Sequence, residues 1–371
     1  FTYSIAEGKN HNIWKIIRVN LATFLSESNM SQKALFLSGK DVAGLATMEE
    51  FIEAIRDGYR QRGEGASAKP SQVISSDAGP TPRYGKAASL VTYGASMPDS
   101  NVMGMYTMCP SSATEGWYLN QLYSSIGEPL AVIDGASWNP LKTGAVGAVG
   151  VDALAREDSS VVALIGSGEQ SKGQLVAIEH VRDIEHAYVY SPNKEHREKF
   201  AKTMQDFVKC DIISVDSSDA AIENADIIVT ATKASDPVFD GSKMKEGVHV
   251  NAVGQGSEAD KREVDEVTVK QAKWVSDIKA RTLRSQGAYI YAANHGFIDF
   301  DTHYYAELGE VLADKYPGRE SETEVTLFDS TGSGPEAVAG GKLLYEKAVK
   351  AGIGTEIEFY SAEESFGFTD Y

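Results

Sequence analysis

Apolar positions change their rhythm near residue 160, and that change divides the sequence. Before it, short apolar runs alternate with turn clusters. Ala34-Leu35-Phe36-Leu37 reads as a strand leading into Ser38-Gly39-Lys40-Asp41, and Thr47-Met48-Glu49-Glu50 is a capping box in which Thr47 and Glu50 satisfy each other's backbone donors. The helix that follows places Met48, Phe51, Ile52, Ile55 and Tyr59 on one face and stops at Gly63-Glu64-Gly65. Between Lys69 and Met108 turn clusters such as Ser96-Met97-Pro98-Asp99-Ser100 punctuate a mostly antiparallel sheet, and Tyr123 to Ile133, broken by Gly127-Glu128-Pro129, continues it as a hairpin. Leu141 to Ala155 reads as a helix whose Gly144, Gly147 and Gly150 weaken it intrinsically and are explained by close approach to a neighbour.

After it, Val161-Val162-Ala163-Leu164-Ile165 has no polar alternation, as expected of a parallel strand covered on both faces. Strand and helix then repeat with short connections: strands at Ala187 to Tyr190, Ile212 to Val215, Ile227 to Val229, His249 to Val253 and Lys273 to Val275, with helices over Lys194 to Phe207 and Ala220 to Asn224. Ala306 to Gly309 reads as helical, Thr326 to Gly332 as strand and turn, and Glu336 to Lys350 as a final helix. The tail from Gly352 shows no periodicity and reads as a docking or disordered segment. The pattern is that of an α/β chain, a Rossmann-type doubly wound parallel sheet joined to a smaller α+β domain, with the hinge near the glycine-rich helix.

The 371 residues suffice for two such domains. A net charge of -18 repels nucleic acid and anionic membrane surfaces, so neither is expected as a partner. Cys109 and Cys210 are in no metal or redox spacing, which fits free thiols and a reducing, cytoplasmic compartment. Ile13 to Leu25 is apolar but short and carries Lys15 and Arg18, so residues 1 to 29 are read as an N-terminal extension rather than a signal or anchor.

The candidate chemistry sits behind the first wound strand. Gly166 permits a sharp turn, Gly168 lets backbone N–H groups approach a pyrophosphate, and the helix starting near Glu169 aims its positive end at that anion, so Gly166, Ser167, Gly168, Glu169 and Gln170 form a dinucleotide grip. Ser171 stands where the usual fingerprint has a third small residue, and a plain strand-turn-helix is the rival reading. Ala231, Thr232, Val253 and Gly254 lie at neighbouring strand ends, where ligands of such sheets bind. The second strand ends in Tyr190-Ser191-Pro192-Asn193-Lys194 with Arg197 one turn on; donors in place of a carboxylate point to NADP, with NAD the alternative. The rival is that Lys194 and Arg197 merely open a solvated helix. His249 reads as a buried core histidine, His295 and His303 lack a metal spacing, and Cys109 with Ser111-Ser112 lacks a partner arrangement for nucleophilic catalysis.

Taken in order, Asp134-Gly135, Lys142-Thr143-Gly144-Ala145, the Gly166 to Gln170 turn, Asn251-Ala252-Val253-Gly254, Ala306 to Val311 and Thr326 to Gly332 resemble the ornithine cyclodeaminase and mu-crystallin family over about Ala34 to Lys350. The resemblance implies a homodimer joined through the N-terminal sheet, a final helix returning to that domain, and redox chemistry at an amino or imino carbon. It divides the chain into residues 1–29 (extension), 30–145 (substrate binding and dimerisation), 146–322 (dinucleotide binding) and 323–371 (return to the first domain). It also implies that Thr143 and Ser330-Thr331-Gly332 border the nicotinamide.

The chain departs from the family at polar positions. Gln72 and Gly104 stand where members carry an arginine and a lysine, Gly256 where many carry an aspartate, and Lys142 replaces the arginine of an Arg-Thr-Gly-Ala motif, keeping the charge without the bidentate fork. Lys142 is expected to balance substrate or cofactor charge, and Lys69 is the candidate for the missing cation from a shifted position, with Arg83 and Lys86 as further candidates; the rival reading for each of these three is a solvated surface charge, and for Arg83 and Lys86 it is the favoured one. The function expected is an NAD(P)-dependent oxidoreductase acting on a small amino or imino acid. Its rivals are ornithine cyclodeaminase, which needs proton transfers as well as hydride transfer, and a nucleotide-binding protein that has lost catalysis.

Overall fold

The computed structural model describes residues 32–75, 88–109, 116–254 and 261–359. The extension at 1–29, Arg83, Lys86, Ser111-Ser112, Gly256 and the tail beyond 359 lie outside the described residues. Residues Leu35–Thr355 form one compact unit; the chain ends, described at 32–34 and 356–359, form a smaller one in which Lys33 pairs with Glu356 at 2.6 Å.

Within the large unit the first sheet contains the Leu35 to Leu37 end of β1 (Gln32–Leu37), β2 (Ala68–Ser75), β3 (Ser89–Met97), β4 (Val102–Cys109), β5 (Trp117–Ser124) and β6 (Pro129–Asp134) in the order β1-β6-β5-β4-β3-β2. All pairs are antiparallel except β1 with β6. Tyr93 and Tyr106 face each other across β3 and β4, on the side that packs against α2 (Met48–Glu64) and the final helix; α1 is the single turn Gly39–Val42. The expected capping box is present, with Glu50 N–H donating to Thr47 and Thr47 N–H to Glu50. On the opposite side of the sheet Leu90, Met103, Met105, Leu119 and Tyr123 are exposed.

The second sheet is parallel throughout: β7 (Val161–Ile165), β8 (His186–Tyr190), β9 (Asp211–Ser214), β10 (Ile227–Thr230), β11 (His249–Ala252), β12 (Lys273–Ser276), β13 (Tyr304–Glu307) and β14 (Thr326–Asp329), in the order β13-β12-β14-β11-β10-β7-β8-β9. Three expectations change. Tyr304–Glu307 is an edge strand, and the helix begins only at Leu308. Thr326–Asp329 inserts between β11 and β12, so the nucleotide lobe runs past residue 322. Thr355–Phe359 is a strand, β15, not an aperiodic tail.

The glycine-rich helix α3 (Asn139–Leu154) lies against α4 (Glu169–Ile178). A Cβ at Gly144 would run into the Gly173 backbone, one at Gly147 into Gln174, and one at Gly150 into Phe328, so the three glycines let α3 lie directly on the nucleotide lobe. At its carboxyl end Arg182 donates to the Asp152 and Ala155 carbonyls and Arg319 to that of Leu154, occupying acceptors that a helix end leaves bare, and Arg182 shares the Val151 carbonyl with the Ala155 N–H. His249 is fully buried: Nε2 meets Asn251 Oδ1 and Nδ1 meets Thr326 Oγ1, each at 2.9 Å, and burial pushes its pKa down to about 3. It stays neutral and structural.

Candidate functional site

At the carboxyl ends of β7, β8, β10 and β11 a cavity of about 900 Å3 is lined by Gly166, Ser167, Gly168, Glu169, Gln170, Ser191, Ala231, Thr232, Val253 and Gly254 among others. The chain reverses at Gly166 with φ +114°, and a Cβ there would lie 2.5 Å from the Ala231 carbonyl oxygen, so only glycine serves. Gly168 is the N-cap of α4 and offers no side chain to its first N–H groups; a Cβ there would project into open space. Gln170 Oε1 and Ser171 Oγ are buried without a hydrogen-bond partner among the described residues. An uncapped helix start with glycine at its mouth fits a pyrophosphate.

The remaining sequence-derived nucleotide residues divide. Asn193 caps the helix α5 (Lys194–Met204) through the His196 N–H, and Lys194 is exposed near Glu198. Arg197 is buried: one nitrogen donates to the Ser191 carbonyl at 3.0 Å, another is ion-paired with Asp216, and the guanidinium lies over Tyr190. Thr143 gives its carbonyl to Gln174 Nε2 at 2.7 Å. Ser330, Thr331 and Gly332 form the turn after β14, where Ser330 N–H bonds the Ala252 carbonyl, Thr331 N–H bonds Asp277, and Arg281 donates to the Thr331 and Gly332 carbonyls.

That turn runs directly into the final helix, α6 (Gly334–Ala351), which carries Glu336. Lys142 and Glu336 form an ion pair with both side chains 2% exposed. The Lys142 ammonium lies 5.3 Å from the Tyr106 ring centre and 5.9 Å from that of Tyr93, and the Tyr59 hydroxyl donates to Glu336 Oε2 at 2.8 Å. The charge of Lys142 is therefore already balanced within the protein. Lys69 is exposed on β2, and no hydrogen bond or ion pair among the described residues joins it to this cluster. Gln72 is exposed, and among the described residues its amide reaches the Pro70 carbonyl alone, at 3.4 Å. At Gly104 a Cβ would sit 2.6 Å from the Gln121 carbonyl oxygen and 2.9 Å from Leu122, so no lysine fits.

Several groups were not singled out from the sequence. Glu263 is fully buried and its carboxylate accepts from the Thr232 and Gly254 N–H groups, tying together the turns after β10 and β11. Burial raises its pKa, and the hydrogen bonds it accepts oppose the rise. Asp277 and Asp329 lie buried beneath the Ser330–Gly332 turn; burial raises both, and Asp277 raises Asp329 further, while Arg281 opposes. Glu336 and Tyr93 had no distinguishing local signal.

Three comparisons bear on this arrangement. The chain is 37% identical over 234 residues, 63% of its length and 71% of the relative's, to a Δ1-pyrroline-2-carboxylate reductase of Bacillus cereus. It superposes with a TM-score of 0.80 and 33% identity on Thermococcus litoralis Δ1-pyrroline-2-carboxylate reductase in complex with NADH and L-proline, covering 87% of this chain and 100% of that one. An archaeal alanine dehydrogenase dimer with bound NAD gives 0.80 and 29%, covering 88% and 100%. The family model for the ornithine cyclodeaminase/mu-crystallin family matches residues 32–352, and the chain belongs to that family.

Proposed function

We propose that this chain is an NAD(P)-dependent imino and amino acid oxidoreductase working as a ketimine reductase on a small cyclic imine such as Δ1-pyrroline-2-carboxylate. The observation that carries the reading is the uncapped start of α4 behind Gly166 and Gly168, opening on a cavity whose far wall is formed by the turns after β10 and β11. The nicotinamide supplies a hydride when bound. Gly166 to Gln170 hold the pyrophosphate, Ala231, Thr232, Val253 and Gly254 wall the cavity, and the Ser330–Gly332 turn closes the approach to the first lobe. NADPH is the preferred form: no carboxylate ends β8, and the ribose phosphate takes Arg197 from Asp216, whose side chain is 92% exposed and able to swing away. Two copies associate through the exposed apolar face carrying Met103, Met105 and Leu119, an area too apolar to leave in water.

The test is calorimetric titration with NADPH and NADH, followed by loss of reduced-nicotinamide absorbance with Δ1-pyrroline-2-carboxylate and with pyruvate plus ammonia. Saturable binding with turnover is expected; binding of neither nucleotide ends the proposal. A second reading, a nucleotide-binding protein without catalysis, is favoured by the neutralised Lys142 and the closed position at Gly104. It requires tight binding and no turnover of any imine.

A further inference from the structure

Three tyrosines surround the Lys142–Glu336 pair, and two have committed their hydroxyls. Tyr59 donates to Glu336, and Tyr106 donates to the Gly135 carbonyl at 2.8 Å. Tyr93 is 4% exposed, its ring stacks on Tyr106 at 5.5 Å, and its hydroxyl has no hydrogen-bond partner among the described residues. Of the three hydroxyls it is the one left free to donate to a ligand. Its surroundings say where that ligand sits. Gly332, at φ +92° in the turn after β14, places its Cβ position 3.5 Å from the Tyr93 oxygen and 3.8 Å from Glu336 Oε1, so the hydroxyl points at the strand end where this fold receives its ligands.

We propose that Tyr93 is a catalytic residue, the hydrogen-bond and proton donor to the substrate nitrogen. The assignment rests on the ketimine-reductase reading. As the substrate carbon gains its hydride, the C=N π bond breaks toward nitrogen, an N–H bond forms and the Tyr93 O–H bond breaks. Arg281 stabilises the phenolate, which takes a proton back from water when the amine leaves. Burial and Glu336 hold the free hydroxyl well above the usual tyrosine range, while Arg281 draws it down, so Tyr93 enters each turnover protonated. The Lys142 ammonium lies 5.9 Å from the centre of the ring and supports it from behind.

The test uses the full chain with Tyr93→Phe, which keeps the ring and removes no hydrogen bond within the protein. Thermal unfolding and NADPH affinity should match the parent. With Δ1-pyrroline-2-carboxylate, kcat should fall about 100-fold or more, in the range of a lost general acid, and the solvent deuterium isotope effect on kcat should change. The calorimetric Kd of the product amine L-proline for the nucleotide-loaded protein should weaken by up to about 10-fold, the loss of one hydrogen bond. A Tyr93→Phe protein with kcat and L-proline affinity within about threefold of an active parent overturns the assignment alone. A parent that reduces no imine overturns the functional reading and this assignment with it.

Discussion

Replacing Lys142 by methionine isolates the energetics of the buried pair. The substitution fills nearly the same volume but leaves the Glu336 carboxylate, 2% exposed, with only the Tyr59 hydroxyl at 2.8 Å and the Ser333 hydroxyl at 3.5 Å. A carboxylate so placed takes up a proton rather than stay charged. Protonating a carboxyl that titrates near 4.3 in the unfolded chain costs about 3.7 kcal/mol at pH 7, from about 1.4 kcal/mol per pH unit. The sign follows: in the variant the folded-state pKa lies above the unfolded one, so stability is complete below about pH 4.3 and is lost as pH rises toward the folded value. Urea unfolding of parent and Lys142→Met should therefore differ by about 3–4 kcal/mol at pH 7 and by less than about 1 kcal/mol at pH 4.5. Adding Glu336→Gln should recover most of the loss at pH 7, because a neutral amide still accepts from Tyr59. A loss independent of pH, or one that the second substitution leaves untouched, would refute the claim that the charge of Lys142 is spent on Glu336.

Other expectations are more local. Gly166→Ala forces a Cβ toward the Ala231 carbonyl at a φ that side chains rarely adopt; NADPH binding in calorimetry should weaken at least 10-fold, with stability reduced by about 1–3 kcal/mol. Glu263→Gln replaces one of two acceptors with a donor facing a backbone N–H, so Kd for NADPH should rise several-fold while unfolding shifts by about 1–3 kcal/mol; an unchanged Kd would remove Glu263 from the site. Asp329 has its folded pKa raised, so its contribution is complete below the ordinary carboxylate value of 3.8 and declines as pH rises through the raised value; Asp329→Asn should flatten the fall in unfolding free energy between pH 4 and 8. Asp216→Asn should tighten NADPH relative to NADH in paired titrations by removing the competitor for Arg197.

Periodicity revealed most of the architecture because both lobes keep their apolar residues in regular register. The unalternated Val161 to Ile165 run, the capping box at Thr47 and the glycines at 144, 147 and 150 each state a local physical requirement, and the structure meets it. Ala306 and Glu307 read as helical because a short strand with a polar end runs straight into the helix Leu308–Leu312. Thr355–Phe359 does alternate, Thr-Glu-Ile-Glu-Phe, but among acidic neighbours that signal reads as a tail. The site was less legible for a different reason. Its glycine turn is contiguous and speaks for itself, whereas Lys142 and Glu336 are 194 positions apart and Glu336 looks like any acid in the first turn of a helix. Which tyrosine keeps an unengaged hydroxyl depends on the packing of three elements and leaves no mark in the sequence.

The placement of Thr326–Asp329 between His249–Ala252 and Lys273–Ser276 has a consequence for biosynthesis. A ribosome that has released everything up to residue 320 has exposed two separate groups of strands with a gap where the joining one belongs. Neither the wound sheet nor its ligand-facing rim can close until that four-residue strand emerges, and the helix that follows it then delivers Glu336 to Lys142. Assembly of the nascent chain should thus be late and concerted, with protease resistance of stalled chains appearing only once the segment through about residue 340 has left the exit tunnel.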